Sequence, residues 1–346
     1  MCRTSSVVSI SVAFYLLCTV PAILAADLSV FSFAQDPDFD LQDLANGKVE
    51  GARAPAKGSA LSISVETFYV LSASPDVVIK RMVDSSSATE SAASETLDIK
   101  NHVSISSPPV AADFAQFDLK GESTSRFGFG GSNMLEGNTQ QLNLTKEEAE
   151  KINRLDPKSA EAMESLWKSL LLERAKAFHQ GGLLNTQGYA SRGRQFNLQA
   201  ELVSMLKSRP KVLTHFQDLL GVAMTGKPLP DSLPSTYYWE TSKLQGQKNI
   251  TLAGIFSRPY EQGYQVLDCT HYVSGGYFTS MILYQIWPVE IEGKQQCLVW
   301  RGDYVISQSM NFLKGVERMA AENIMLLEIK KSVRSFINEI DEIPSP

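Results

Sequence analysis

Apolar and polar positions are most regularly patterned over the last third of the chain. From Tyr264 to Ile306, aromatic and β-branched residues form three runs separated by Val273-Ser-Gly-Gly276 and Ile291-Glu-Gly-Lys294. Runs of that composition, broken by glycine-bearing turns, predict an antiparallel meander. Behind it Phe312, Val316, Met319, Leu326, Ile329, Val333, Phe336 and Ile340 recur mostly three or four residues apart. That spacing predicts an amphipathic helix over Asn311 to Ile340, roughly 45 Å long at about 1.5 Å per residue.

The same reading extends upstream. Leu61, Ile63 and Val65 alternate with Ser62, Ser64 and Glu66 before an unbroken Phe68 to Leu71, the pattern of a half-buried strand becoming fully buried. It runs into Ser74-Pro75-Asp76, where serine suits a cap, proline the first helical position and the acid the positive end of the dipole, so a short helix follows. Ile99 to Ile105, Thr236 to Lys243 and Asn249 to Phe256 also read as strands, which with the meander makes seven. Between them the text is helical. Thr145 and Glu148 form a capping box, Asp156-Pro157 opens a longer helix ended by Gly181-Gly182, Asn197 caps a third, and Val212 to Leu220 supplies a fourth. The class is therefore α+β: an antiparallel sheet of about seven strands, a long C-terminal helix and an inserted helical subdomain. Leu41 to Gly47 reads as a helical turn in a lead-in, and Phe127-Gly-Phe-Gly-Gly131, followed by no Lys-Ser/Thr pair, as a loop.

Composition narrows the setting. The 346 residues carry a formal charge of −6 without a Lys/Arg-rich run, so a nucleic-acid partner has no electrostatic footprint. Arg3, the apolar Val7 to Leu24 and the small residues before Asp27 have the order of a secretory signal peptide over 1–26. Pro21 and the terminal alanines favour that reading over an uncleaved anchor, and no later segment is long and apolar enough to span a membrane. A periplasmic or extracellular mature protein keeps Cys269 and Cys297. With both hairpins closed at their turns, the two face positions about 30 Å apart along the shared strand at about 3.3 Å per residue. A disulfide needs Cα atoms within about 7 Å, so both thiols are expected free and buried.

The order of strand, proline-capped helix, antiparallel strands and long terminal helix, carried by Val65 to Val83 and Thr236 to Ile340, resembles the START-like helix-grip superfamily. The resemblance implies a curved sheet wrapped around its last helix and an apolar cavity between them. It assigns 59–109 and 235–342 to a discontinuous helix-grip domain, with 27–58 as lead-in and 110–234 as a helical insertion much larger than the family's usual connection. It also implies a lipid or other hydrophobic ligand, and no cofactor.

Registering the hairpins on their turns collects Leu267, Cys269, His271, Phe278, Ile282, Tyr284, Ile286, Leu298, Trp300, Tyr304 and Ile306 on one face, and Asp268, Met281, Leu283, Gln285, Trp287, Val299, Arg301 and Asp303 on the other. The first is the more apolar and is placed inward. Leu267, Cys269, His271, Phe278, Ile282, Tyr284, Trp300 and Tyr304, with Met319 of the helix, are thus the candidate ligand-binding residues. A one-residue bulge near Ser274 to Gly276 would flip a strand. His271 among aromatics is the one candidate for acid/base work. His102, His179 and His215 lack metal-ligand spacing, and no GxSxG, HExxH or P-loop occurs. Asn143-Leu-Thr145 and Asn249-Ile-Thr251 are glycosylation sequons if the host is eukaryotic. The expectation is an exported carrier of a hydrophobic small molecule. The alternatives are a cyclase- or hydrolase-like enzyme using His271, or an interaction module whose insertion docks a partner.

Overall fold

The computed structural model describes residues 28–35, 39–54, 59–83, 97–118, 142–156, 159–191, 194–244 and 247–342. The signal-peptide segment and the Phe127 to Gly131 loop lie outside them. In chain order the regular elements begin with α1 (Leu41–Ala45), β1 (Glu50–Arg53), β2 (Ser62–Leu71), α2 (Pro75–Val83) and β3 (Leu97–Ile105). The insertion holds α3 (Lys146–Asn153), α4 (Ala160–Gly181), a small hairpin β4 (Tyr189–Ser191) and β5 (Arg194–Phe196), then α5 (Leu198–Lys207), α6 (Pro210–His215) and α7 (Gln217–Thr225). The chain ends with β6 (Thr236–Leu244), β7 (Gln247–Tyr260), β8 (Gly263–Val273), β9 (Thr279–Ile291), β10 (Lys294–Ile306) and α8 (Val316–Asp341).

Local chemistry places most of these elements where the pattern put them. At α3 the Thr145 hydroxyl accepts from the Glu148 amide at 3.1 Å, and the Glu148 carboxylate accepts from the Thr145 amide at 2.7 Å, so the capping box is reciprocal. Asn197 caps α5 through the Ala200 amide. The expected fourth helix is interrupted at Phe216 and becomes α6 and α7. The last helix starts at Val316, later than expected, because a 3-10 turn over Gln308–Phe312 and Gly315 at φ 51° intervene.

One curved antiparallel sheet of eight strands runs in the order β1-β2-β10-β9-β8-β7-β6-β3. Its eighth member is β1, inside the lead-in, where the pattern predicted a helical turn but no strand. Glu50-Gly-Ala-Arg53 has no β-branched or aromatic residue, so it is held by pairing to β2 and not by propensity. Gly51 matters there, since a Cβ would come within 2.9 Å of Leu326 on α8.

Both faces of the sheet are covered, by different elements. On one face α4, α5, α6 and α7 pack over Leu267, Cys269, Met281, Leu283, Leu298, Trp300, Tyr304 and Ile306 to make the larger core, which sheet and insertion share. On the other, Ile329, Val333, Ile337 and Ile340 of α8 and Val78 and Ile79 of α2 cover Val65, Tyr69, Ile286, Cys297 and Val299. Contacts of α8 concentrate on β1 and β2, and those of α2 on β8 and β9. The C-terminal helix therefore runs along one side of the sheet, on the face opposite to the one expected.

The expected facing fails at β9 because both of its registers are one residue off. The β9–β10 turn is the two-residue Glu292-Gly293, with φ of 53° and 73°, pairing Ile291 with Lys294 and Cys297 with Pro288. That is the primed turn preferred by twisted hairpins. On the other side Cys269 pairs with Met281, not with Ser280. A shift of one turns every β9 side chain over. Ile282, Tyr284 and Ile286 thus join the α8 face, while Met281, Leu283, Gln285 and Trp287 join the insertion face. Cys269 and Cys297 are free and buried in the two opposite cores.

Candidate functional site

The candidate ligand residues are divided by this arrangement. Leu267, Cys269, Trp300 and Tyr304 are 0% exposed and His271 and Phe278 3%, all within the core that the insertion fills. Trp300 packs against Phe216 at 5.5 Å and edge-on to Phe33 at 4.8 Å between ring centroids, so the space expected to hold a ligand holds helix side chains. Met319 is 46% exposed on α8. Only Ile282 and Tyr284 lie on the face beneath that helix.

His271 is structural. It is the extra residue of a bulge where Leu252 and Ala253 of β7 oppose Tyr272 and Thr270, which sends His271 and Tyr272 into the same core. Its ring stacks on Phe178 at 3.9 Å and 11°. Burial, helped by the nearby Arg174 guanidinium, lowers its pKa to about 3, so the imidazole is neutral. Arg174 itself lies over the Tyr272 ring at 4.3 Å and pairs with Glu148. A second buried pair, Glu66 with Arg209, ties β2 to the insertion, the Glu66 carboxylate also accepting from Trp300 Nε1 at 3.0 Å and the Gln35 amide at 2.8 Å. Both acceptor asparagines of the sequons are buried. Asn143 donates through Nδ2 to the carbonyls of Val273 and Tyr277 at 2.8 and 2.7 Å, and Asn249 is 2% exposed, which closes both to glycosyl transfer in the folded chain.

The face under α8 differs in kind. Along β9 exposure alternates: Thr279, Met281 and Leu283 are buried, whereas Ser280, Ile282 and Tyr284 are half-exposed. Asp268 of β8 and Arg301 of β10 are partly buried too, the Arg301 side chain being 14% exposed. Because contacts of α8 concentrate on β1 and β2 and those of α2 on β8 and β9, the described elements leave a strip in the middle of the sheet, a shallow trough, less completely covered than its flanks. Ser280, Ile282 and Tyr284 belong to that strip, and Ala253, Thr270 and Tyr238, on the same face beside it, are buried.

The polar groups of the trough form a connected set. The Tyr238 hydroxyl donates to both oxygens of Asp268, at 3.0 and 3.1 Å. Burial pushes the Asp268 carboxyl up to about 7, against the pull of that hydrogen bond, and the Glu240 carboxylate adds to the rise. Arg301 grips Asp303 with two hydrogen bonds of 2.7 and 2.8 Å and lies 5.6 Å from the Tyr284 ring centroid. His102 stacks on Tyr238 at 4.4 Å and faces Glu240 at 3.7 Å. Arg301 and Asp303, which the sequence pattern assigns to an outer surface, and Asp268, which it sets beside them, are thus central here. Their alternation with apolar residues on β8 and β10 was the signal, and the register decided what it meant.

An opening of about 680 Å³ lies at the other side of the sheet and is lined by Phe33, Lys211, His215, Asp218, Arg258 and Tyr260 among others. Its charges are already engaged: Arg258 bonds Asp218 at 2.6 Å, and Lys211 bonds the Ser32 carbonyl at 3.3 Å. His215 meets the Gln285 amide oxygen at 2.8 Å, and burial lowers its pKa. Among the described residues no helix is long and apolar enough to cross a membrane, and no cluster of His, Cys, Asp and Glu is arranged to hold a metal. Comparison with family models, curated proteins and solved structures finds no match for the chain, so the trough is interpreted from its own chemistry.

Proposed function

We propose that the protein is exported and binds a hydrophobic small molecule or lipid in the trough between the sheet and its C-terminal helix. The observation that carries this reading is the incompletely buried row Ser280, Ile282 and Tyr284 in the middle of a sheet whose reverse side is fully buried. A central strand serving only as scaffold gains by having both faces covered, because each apolar side chain left to water forgoes about 1.5–3 kcal/mol of burial. The strand order supports kinship with the helix-grip superfamily, since the first long strand, β2, neighbours the last, β10, and β3 forms the far edge.

The other expected readings have less behind them. His271 is sealed beneath Phe178 and does not line the opening of about 680 Å³. In the described part of 157–220, Leu184, at 56%, is the sole large exposed apolar side chain, too little for a docking patch.

Native mass spectrometry and solvent extraction of the purified full chain test the proposal, together with Ser280→Trp, which fills the trough floor. Bound lipid or another apolar compound in the wild type, reduced in the variant, is the expected result. A chain that carries nothing, or a load unchanged by Ser280→Trp, refutes it. Export is checked separately by the amino-terminal sequence of secreted protein, expected to start at Asp27.

A further inference from the structure

We propose that the outward side of α8 docks the protein on an anionic lipid bilayer, its exposed apolar stripe entering the interface and the basic residues beside it meeting the headgroups. This face lies on the solvent side of the helix, so the proposal goes beyond the ligand of the trough and stands without it.

Seven large apolar side chains are exposed among the described residues, and five of them fall between Phe312 and Leu327. Phe312 is 61% exposed, Val316 81%, Met319 46%, Ile324 60% and Leu327 59%. At about 100° per residue, Val316, Ala320, Ile324 and Leu327 share an arc of about 80°. Over the same turns the side toward the sheet is charged. Glu322 is buried and lies 3.6 Å from both Arg53 of β1 and Arg318 of its own helix. The Arg318 guanidinium also donates to the carbonyls of Ala60 and Ser62. Fully buried apolar residues of α8 begin only at Ile329. A helix that merely covers a sheet has the reverse order, apolar inward and charged outward. The first three turns of α8 thus put into solvent an apolar surface that the fold does not use, which marks an interaction site.

Charge and area say what covers it. The charged side chains bordering the stripe are Lys314, Lys330, Lys331 and Arg334 against Glu317 and Glu328, four cations to two carboxylates on a chain of formal charge −6. At the same angular step Lys331 and Arg334 continue the stripe toward the carboxy end. An anionic surface attracts this face and repels the acidic remainder, so electrostatics and apolar insertion select the same orientation. The stems of the lysines and arginine can lie along the interface with their charges among the headgroups. A second copy pairing through the stripe would bury on the order of 500 Å² of each partner, short of the about 800 Å² of a stable interface. It would also bring two positive faces together.

Flotation of the processed chain, starting at Asp27, with vesicles of phosphatidylcholine alone or with about a third phosphatidylglycerol tests the proposal. Partitioning into the anionic vesicles is expected to be at least about tenfold stronger, an effect that two uncompensated basic residues near such a surface supply, and to weaken in high salt. Ile324→Ser combined with Leu327→Ser should lower it at least about tenfold. Both side chains are already in solvent, so the unfolding midpoint should not fall, and Leu184→Ser, at an exposed leucine elsewhere, should leave binding intact. Lys330→Gln with Arg334→Gln should bring the two vesicle types within about threefold of each other. A fluorophore attached through Ile324→Cys, selective because Cys269 and Cys297 are buried, should shift to the blue on anionic vesicles. Absence of binding, binding that survives the serine pair, or a label already buried in the free monomer overturns the proposal, the last by placing another part of this chain on the stripe. A concentration-dependent dimer in light scattering that the serine pair dissolves overturns it in favour of a second copy. None of these outcomes bears on extraction of a ligand from the trough, which Ser280→Trp reads separately.

Discussion

Asp268→Asn tests the energetics of the one partly buried carboxyl that Tyr238 holds on the α8 face of the sheet. In the native protein burial lifts this carboxyl from 3.8 to about 7. A raised carboxylate means that the folded chain keeps a proton which the unfolded chain releases in that interval. Its stabilising contribution is thus complete below about pH 3.8 and is lost as pH rises through about 7. The shift is about three units, and at about 1.4 kcal/mol per unit the ceiling is about 4 kcal/mol. Asp268 is partly exposed, and the amide oxygen of the variant can still accept from Tyr238, so about 1–3 kcal/mol is the expected gain at about pH 8, falling to about a third of that at about pH 5 and toward zero below about pH 3.8. Urea denaturation of both proteins across that range measures it, because every other titrating group cancels in the difference. A wild-type-to-variant difference that stays constant between about pH 8 and about pH 5 refutes the claim that burial raises the Asp268 carboxyl.

Three further outcomes follow from the buried chemistry. His271, its pKa lowered to about 3, must gain a proton on unfolding in acid, so stability falls as pH drops below about 6.5; His271→Phe should flatten that limb by up to about 1.4 kcal/mol per pH unit, measured by denaturation between about pH 6 and about pH 4. Arg209→Met leaves the Glu66 carboxylate charged and buried and should cost about 3–5 kcal/mol in unfolding free energy; a loss under about 1 kcal/mol would mean that water or another group takes over from Arg209. Cys269 and Cys297 are both 0% exposed, and burial raises both thiols. They should resist an aqueous thiol reagent in the native protein and react as two free thiols in denaturant without reductant, whereas a count of none would place a disulfide between opposite faces of the sheet.

Much of the architecture was legible in residue order. Strand composition, the Thr145–Glu148 box, the Asn197 cap and the terminal apolar stripe are local signals, each set by hydrogen bonds or side-chain spacing within a few residues. They specified the α+β class, seven of the eight strands of the main sheet and the principal helices. The eighth, β1, escaped because Glu50-Gly-Ala-Arg53 has no strand preference of its own and exists through its pairing with β2. The site escaped for a related reason. A strand's side chains change face with a shift of one residue, and whether Glu292-Gly293 forms a two-residue turn, or whether β8 bulges at His271, depends on what each strand meets across the ladder.

Both faces of this sheet are apolar enough to be cores, so hydrophobicity could not say which would receive the insertion and which α8. Packing volume made that choice: the insertion helices fill one face completely, and a single helix with α2 covers the other in part. The sequence by itself determined which segments are strands and helices, because those preferences are written in nearest neighbours. Only the tertiary structure decided that Asp268, Arg301, Tyr238 and Tyr284 share the face of the sheet that carries α8, because register and layer assignment are settled by contacts between residues far apart in the chain.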